Sequence, residues 1–241
     1  MDTLLDFITD NIMVLGGGAL GGFVGLLVSW REIGKILRMF GTSTSEIAWL
    51  PADENVEIVG RAGSEKILLS PITKTPCVFW QVLVSERRRS GRSTRWVVVR
   101  SNTSTSPFNV QDGTGRMQIH PGRGMELHLR DDVKKSSGLF YSLDEGTQAA
   151  LNEMGVETKG FLNMNRNMRV QEKYIEQGDE IYVLGKTASQ PGAGILADET
   201  PFIISDQSEL RLLGRFSWKV IGNAVLGIII GAMLALYFAG P

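Results

Sequence analysis

The sequence predicts a membrane-anchored, mainly β (α+β) domain, an OB-like small barrel, flanked by two transmembrane helices. Three observations predict it. Ile12–Trp30 and Val220–Phe238 are each 19 residues without a charged side chain, and ~19 helical residues at 1.5 Å each cover roughly the 30 Å hydrocarbon core of a bilayer. Every Lys and Arg, and every acid except Asp2, Asp6 and Asp10, lies between the two runs. Within that charged middle, short apolar runs rich in Val and Ile are punctuated by Gly, Pro, Asp and Ser, which is strand patterning.

The first apolar run does not read as a signal peptide. No basic residue precedes it, and Arg31, Lys35 and Arg38 follow it, the reverse of a secretory leader. A buried core helix would be shorter and carry a polar stripe. Orientation follows from the flanks. Arg31, Lys35, Arg38, Arg211, Arg215 and Lys219 stand on the domain side, whereas residues 1–11 and 239–241 carry no Lys or Arg. Basic flanks stay on the cytoplasmic side. The expectation is an integral membrane protein of the cell's inner or plasma membrane, with two spans, a cytoplasmic domain and both termini outside.

The predicted layout runs in chain order. Residues 1–11 are an extracytoplasmic N-terminus, 12–30 the first span, and 31–45 an amphipathic helix and linker. Residues 46–205 are the β-rich domain, 206–219 a juxtamembrane helix, 220–238 the second span and 239–241 an extracytoplasmic tail. In 31–40, Ile33, Ile36, Leu37 and Phe40 fall on one helical face.

Gly16, Gly18 and Gly21 match a dinucleotide-binding fingerprint in spacing alone. The second strand and terminal acid that fingerprint needs are missing. Gly17, Gly21 and Gly25, and likewise Gly227 and Gly231, recur every four residues. Small residues at that interval let helix backbones approach closely in lipid, within one chain or between chains.

Strands are predicted at Val56–Val59, Cys77–Val84, Trp96–Arg100, Glu180–Leu184 and Phe202–Ile204. Phe108 and Val110, then Met117 and Ile119, alternate around Asp112-Gly113-Thr114-Gly115, a hairpin signal in which Asp-Gly supplies positive φ. Ser142-Leu-Asp-Glu145 has capping-box spacing ahead of a helix through Ala149–Met154, with Gly155 as C-cap. Ser205 is a candidate cap for the helix leading into the second span.

The middle region carries 25 basic and 23 acidic residues, which gives no strong electrostatic case for nucleic acid. Cys77 is the only cysteine, and His120 and His128 the only histidines. A closed structural zinc site takes four ligands in recognisable pairs, so no metal site, catalytic residue or cofactor is expected. Cys77, inside an apolar strand, reads as a buried inert thiol. His120, ahead of Pro121-Gly122, reads as a turn residue facing solvent.

One charged motif stands out. Between Glu86 and Arg95 lie Arg87, Arg88, Arg89, Arg92 and Arg95. It reads either as a solvated hairpin tip or as a grip for anionic lipid or an acidic partner. Nucleic acid is disfavoured because no aromatic residue is interleaved for stacking. Glu172 and Glu176 lie ahead of Gly178-Asp179 with nothing to partner them, and read as structural residues at a strand entry.

Several short motifs occur in order: Leu69-Ser70-Pro71-Ile72, Pro76-Cys77-Val78, and Phe108-x-Val110-x-Asp112-x-x-Gly115. Glu172-x-x-Ile175-x-x-Gly178-Asp179-x-x-Tyr182-Val183-x-Gly185 and Phe202-Ile-Ile-Ser205 follow. With a second apolar run after them, the chain resembles the GIDE (BAM) domain family over residues 12–240. Its best-known members are the membrane-anchored, MULAN-type E3 ubiquitin ligases of mitochondria and chloroplasts. The resemblance marks Ser70, Pro71, Cys77, Asp112, Gly115, Glu172, Gly178, Asp179 and Gly185 as structural signature residues.

In the eukaryotic ligases a RING domain after the second span supplies the zinc ligands. No such ligand set occurs here, so the expectation is a prokaryotic, RING-less relative. In mitochondrial members this domain faces the intermembrane space, whereas the flanking charges here point to the cytoplasm. The expected function is a non-enzymatic, membrane-anchored interaction or scaffold module. Its expected partners are membrane lipid, an unidentified protein or further copies of itself. The alternatives are a ubiquitin-transfer protein, by family alone, and a homo-oligomeric membrane assembly.

Overall fold

The computed structural model describes residues 12–42, 44–122, 124–130, 132–138, 141–160, 165–189, 194–196, 202–207 and 209–238. The expected extracytoplasmic segments, 1–11 and 239–241, lie outside the described residues. The chain divides into two compact units. One is drawn from the two chain ends and the other from Thr44–Gln207.

The first unit holds helices α1 (Ile12–Val28) and α2 (Trp30–Gly41) and the last helix, α4 (Glu209–Phe238). Within α4, Arg211–Tyr237 is long and apolar enough to cross a membrane. It is one continuous helix, so the segment before Val220 runs into the apolar stretch without a break. The N-terminal apolar run bends by 64° between Val14–Val28 and Trp30–Met39, so it counts as a second candidate span only if the bent pair is one. Ser29 sits at the bend, its Oγ donating to the Gly25 carbonyl at 3.0 Å. Serine bonding back to the preceding turn competes with the helix ladder and favours bending. In α2, Ile33 and Ile36 of the expected face are half-buried, Met39 is buried and Leu37 is exposed.

Glycine sets the contact between α1 and α4. A Cβ on Gly17 would lie 2.6 Å from the Gly231 carbonyl oxygen, and one on Gly21 would overlap the Gly227 carbonyl. A Cβ on Gly25 would overlap the Asn223 carbonyl. Four of the five glycines singled out by spacing, Gly17, Gly21, Gly227 and Gly231, therefore face one another within one chain, and Gly25 faces Asn223. Asn223 Nδ2 donates to Ser29 Oγ at 2.9 Å, a polar link between otherwise apolar helices of the kind that holds membrane helices together.

The second unit is built on two large sheets and a two-stranded one. Its strands are β1 (Asn55–Gly63), β2 (Leu68–Leu69), β3 (Pro76–Cys77), β4 (Phe79–Ser90), β5 (Ser93–Thr103), β6 (Phe108–Gln111) and β7 (Arg116–His120). They continue as β8 (Met125–His128), β9 (Val133–Ser136), β10 (Met168–Ile175), β11 (Glu180–Lys186), β12 (Ile195–Leu196) and β13 (Phe202–Ser205). A seven-stranded sheet runs β12-β7-β6-β1-β11-β13-β8, and a four-stranded sheet runs β5-β4-β10-β9. The expected barrel does not form. Closure needs the two edges of one sheet to pair; among the described residues β8 remains an edge, and β12 meets the β11 side only through the single bridge of Ile195 to Thr187. Instead β4 pairs with β10 over eight residues and forms a separate sheet.

Strand β4 joins the two cores because alternate side chains point to opposite faces. Phe79 enters the first core, 5.9 Å from the Phe108 ring, alongside Ile58, Val110 and Ile119. Val82 and Val84 face the second core, with Met168, Val170 and Leu151 of helix α3 (Glu145–Glu153).

Three local expectations shift. Helix α3 is capped by Asp144, whose Oδ1 accepts from Thr147 N at 2.9 Å, and not by Ser142. Lys135 and those Thr147 bonds hold the Asp144 carboxyl well below the usual range. Ser205 lies in β13, its Oγ accepting from Gln207 N, and does not cap α4. The Asp112–Gly115 turn uses no positive φ, which occurs instead at Gly91, Gly155, Gly178 and Gly194 among the glycines.

Candidate interaction surface

The arginine-rich stretch lies at the end of the β4–β5 hairpin, which turns at Gly91 with φ +59°. Arg87, Arg88 and Arg89 belong to β4 and Arg95 to β5, so of the five only Arg92 occupies the turn. Cross-strand register then sorts them by face. Arg87 stands opposite Trp96 and Arg89 opposite Thr94, whereas Arg88 stands opposite Arg95. Like charges placed directly opposite one another destabilise a strand pair. Arg88 is partly compensated by Glu86, 2.9 Å from its Nε. Glu86 also pairs with Arg166 at 2.8 Å. Burial pushes its carboxyl up, but the two guanidinium groups outweigh it and hold it below the usual range.

The Arg87 face extends across the sheet. Arg169 of β10 lies opposite Ser85, and its guanidinium is 4.3 Å from the Trp96 ring centre. Arg87, Trp96 and Arg169 thus form one basic face with an aromatic centre. Trp96 lies in the predicted strand, but its place beside the arginines does not follow from the linear run. Arg169 was legible only as the outward member of the alternation Met168-Arg-Val.

The signature residues fall into local clamps in the β unit. Glu172 is buried and accepts four hydrogen bonds. They come from Ile72 N at 2.7 Å, Thr73 N at 3.0 Å, Thr73 Oγ1 at 2.7 Å and Ser70 Oγ at 3.2 Å. This fixes the loop through Pro71 between β2 and β3. Cys77 is buried nearby, and burial, then the charge of Glu172, pushes its thiol up to about 11. That is the setting of an inert thiol.

Asp112 pins its own turn. Its carboxyl accepts from Thr114 N, Gly115 N and Ile47 N, and a Cβ on Gly115 would press on Ile47 at 3.1 Å. Gly178 takes φ +94°, and its N–H donates to Ala62. Asp179 Oδ2 accepts from Glu176 N at 2.8 Å. Gly185 leaves room for Ile195 and Phe202. These positions position backbone, and none of them converges on a shared reaction centre.

An open cleft of about 670 Å³ lies between β1 and the 109–116 and 177–180 segments. Arg61, Arg116, Glu65, Glu180 and Asp112 line it with mixed charge. Among the described residues no cluster of His, Cys, Asp and Glu is arranged to hold a metal ion. His120 and His128 are both half-buried, His120 at the end of β7 and not in an exposed turn.

Comparison with known proteins gives one family. The family model GIDE, described as an E3 ubiquitin ligase, matches residues 81–235, more than half of the chain. No curated protein and no solved structure matches. The matched stretch takes in the arginine hairpin, the Asp112 turn, Glu172 and most of the apolar helix α4, and on that match the chain belongs to the GIDE family.

Proposed function

We propose that this chain is a membrane-anchored, non-enzymatic interaction module that presents the basic β4–β5 hairpin to an anionic partner. The supporting observation is the hairpin itself. Arg88 and Arg95 are set opposite one another, and Arg87 and Arg169 flank a partly exposed Trp96. A fold gains nothing from such a concentration of one charge, so its use lies in what it attracts. The flanking charges support a cytoplasmic β domain, bounded at about residues 46–205, with both termini outside the inner or plasma membrane.

The family is described as an E3 ubiquitin ligase. One cysteine and two histidines within these 241 residues fall short of the four-ligand zinc sites of a RING. Anionic lipid is the second reading, favoured by Trp96 among cations, the composition of a membrane-interface patch. Further copies of the chain remain a partner the α1–α4 glycines do not require, since they pack within one chain.

The test uses the full chain in neutral detergent micelles, offered polyglutamate, phosphatidylserine vesicles and single-stranded RNA. Each cation near an anionic surface contributes on the order of 1 kcal/mol. Replacing Arg87, Arg88, Arg89, Arg92 and Arg95 by Ser should therefore weaken polyglutamate binding by at least about 100-fold. Added salt should do the same. Binding that survives both the five-fold variant and salt overturns the hairpin's role, and RNA bound most tightly would move the partner class to nucleic acid.

A further inference from the structure

Strand β5 is an edge of the four-stranded sheet, and no described strand pairs with its outer side. Which backbone groups it turns outward follows from alternation. Arg87 N–H donates to Asn167 O on the β10 side, so Glu86 and Arg88 direct their backbone groups toward β5. Their partners Val97 and Arg95 are thereby engaged. Thr94, Trp96 and Val98 turn N–H and C=O away from β4. Register shifts after Ser85–Val98, leaving Val99 as an extra residue. Such a bulge ends regular pairing and re-aims the strand, so the usable edge is Ser93–Val98.

Soluble proteins blunt a long edge with proline, lysine, a bulge or a covering element. This edge has only its bulge and its arginines, and it exposes Val98 (57%) and Trp96 (39%). The arginines decide what can pair there. A second copy would bring Arg92 and Arg95 against their own kind, and like charges oppose strand pairing. An acidic strand meets the opposite sign.

We propose that Ser93–Val98 accepts an extended acidic segment of a partner protein as a fifth strand, with apolar side chains at alternate positions over Trp96 and Val98 and an acid against Arg95. Main-chain hydrogen bonds from Thr94, Trp96 and Val98 give the affinity, and the alternation gives the selectivity. This rests on the reading of the hairpin as the recognition surface.

The experiment is fluorescence polarisation with the full chain in neutral detergent and blocked hexapeptides alternating Glu and Val. Counterparts alternate Lys and Val, or carry N-methyl groups on one or the other alternate set of amides. The Glu–Val peptide should bind, and the Lys–Val peptide should bind at least 10-fold more weakly. One of the two N-methylated sets should lose at least 10-fold, because only one set points its N–H at the protein edge. Val98→Pro, which removes an outward N–H of the kind an edge strand tolerates losing, should weaken binding without altering the melting temperature.

Equal binding of both N-methylated peptides overturns strand addition while leaving the electrostatic role of the hairpin standing. No binding of the Glu–Val peptide also overturns it, and the polyglutamate assay then reports separately on the hairpin. Binding of phosphatidylserine vesicles in its place assigns the edge to lipid and overturns it as well.

Discussion

The helix pair and the β unit are held by opposite means. Between α1 and α4 the contact depends on side chains that are absent: Gly21 and Gly227 let backbone meet backbone. In the β unit the decisive contacts are carboxyl groups that collect several backbone N–H donors, Glu172 in the interior and Asp112 near the surface. No side chain stands between those two backbones, so the first unit depends on close approach. In the β unit apolar burial supplies the drive, and the penalty to avoid is an unsatisfied buried donor. The first unit should therefore fail when volume is added, and the second when an acceptor is removed.

Adding volume gives the largest expected effect. Gly21→Leu puts a side chain where the Gly227 carbonyl already sits. Neither backbone can yield without separating the helices, and overpacking of this kind costs ~3 kcal/mol or more. Spin labels at Leu20 and Ile230, on a Cys77→Ser background, should report a longer and broader distance. An unchanged distance would mean the glycines do not set the contact.

Removing an acceptor comes next. Glu172→Gln keeps the shape but replaces one acceptor oxygen by an NH2 group facing donors such as Ile72 N or Thr73 N. With at least one buried N–H left unmatched, the expected loss is about 2–3 kcal/mol, read as a lower urea midpoint for the β unit. Asp112→Ala removes three backbone bonds, one more than Glu172 accepts, but its partners at Thr114 and Gly115 can turn to water, so about 1–2 kcal/mol is expected. Equal losses at the two sites would show that burial does not separate the clamps.

Much of this was legible, and the failures share a cause. Strands such as Phe79–Val84 and Glu180–Leu184 announce themselves by β-branched and aromatic runs. The glycine spacing names both faces of the helix contact. What stays hidden is pairing at long range. Glu172 reads as an unpartnered acid because its donors at Ile72 and Thr73 lie 100 and 99 residues away. The two-sheet arrangement is hidden for the same reason, since Phe79–Glu86 finds its neighbour at Met168–Ile175. The Asp-Gly turn misleads differently. Its stabilisation comes from the Asp112 side chain, so Gly113 needs no positive φ.

The smallest expected effect is on pH dependence, and it sets Asp112 against Cys77. Burial pushes the Asp112 carboxyl up, but bonds from Ile47, Thr114 and Gly115 outweigh it and bring it to about 2. An unfolded Asp titrates near ~3.9. The folded value is the lower, so this contribution to stability is complete above about pH 4 and is lost as pH falls toward 2. Cys77 runs the other way. Its thiol is raised to about 11 in the fold, so its contribution is complete below the unfolded value of ~8.5 and is lost as pH rises toward 11. Urea midpoints across pH should show Asp112→Asn flattening only the acid limb and Cys77→Ala only the alkaline one. If Asp112→Asn leaves the slope between pH 4 and 2 as steep as in the unaltered chain, hydrogen bonds to this carboxyl are not what makes the turn acid-sensitive.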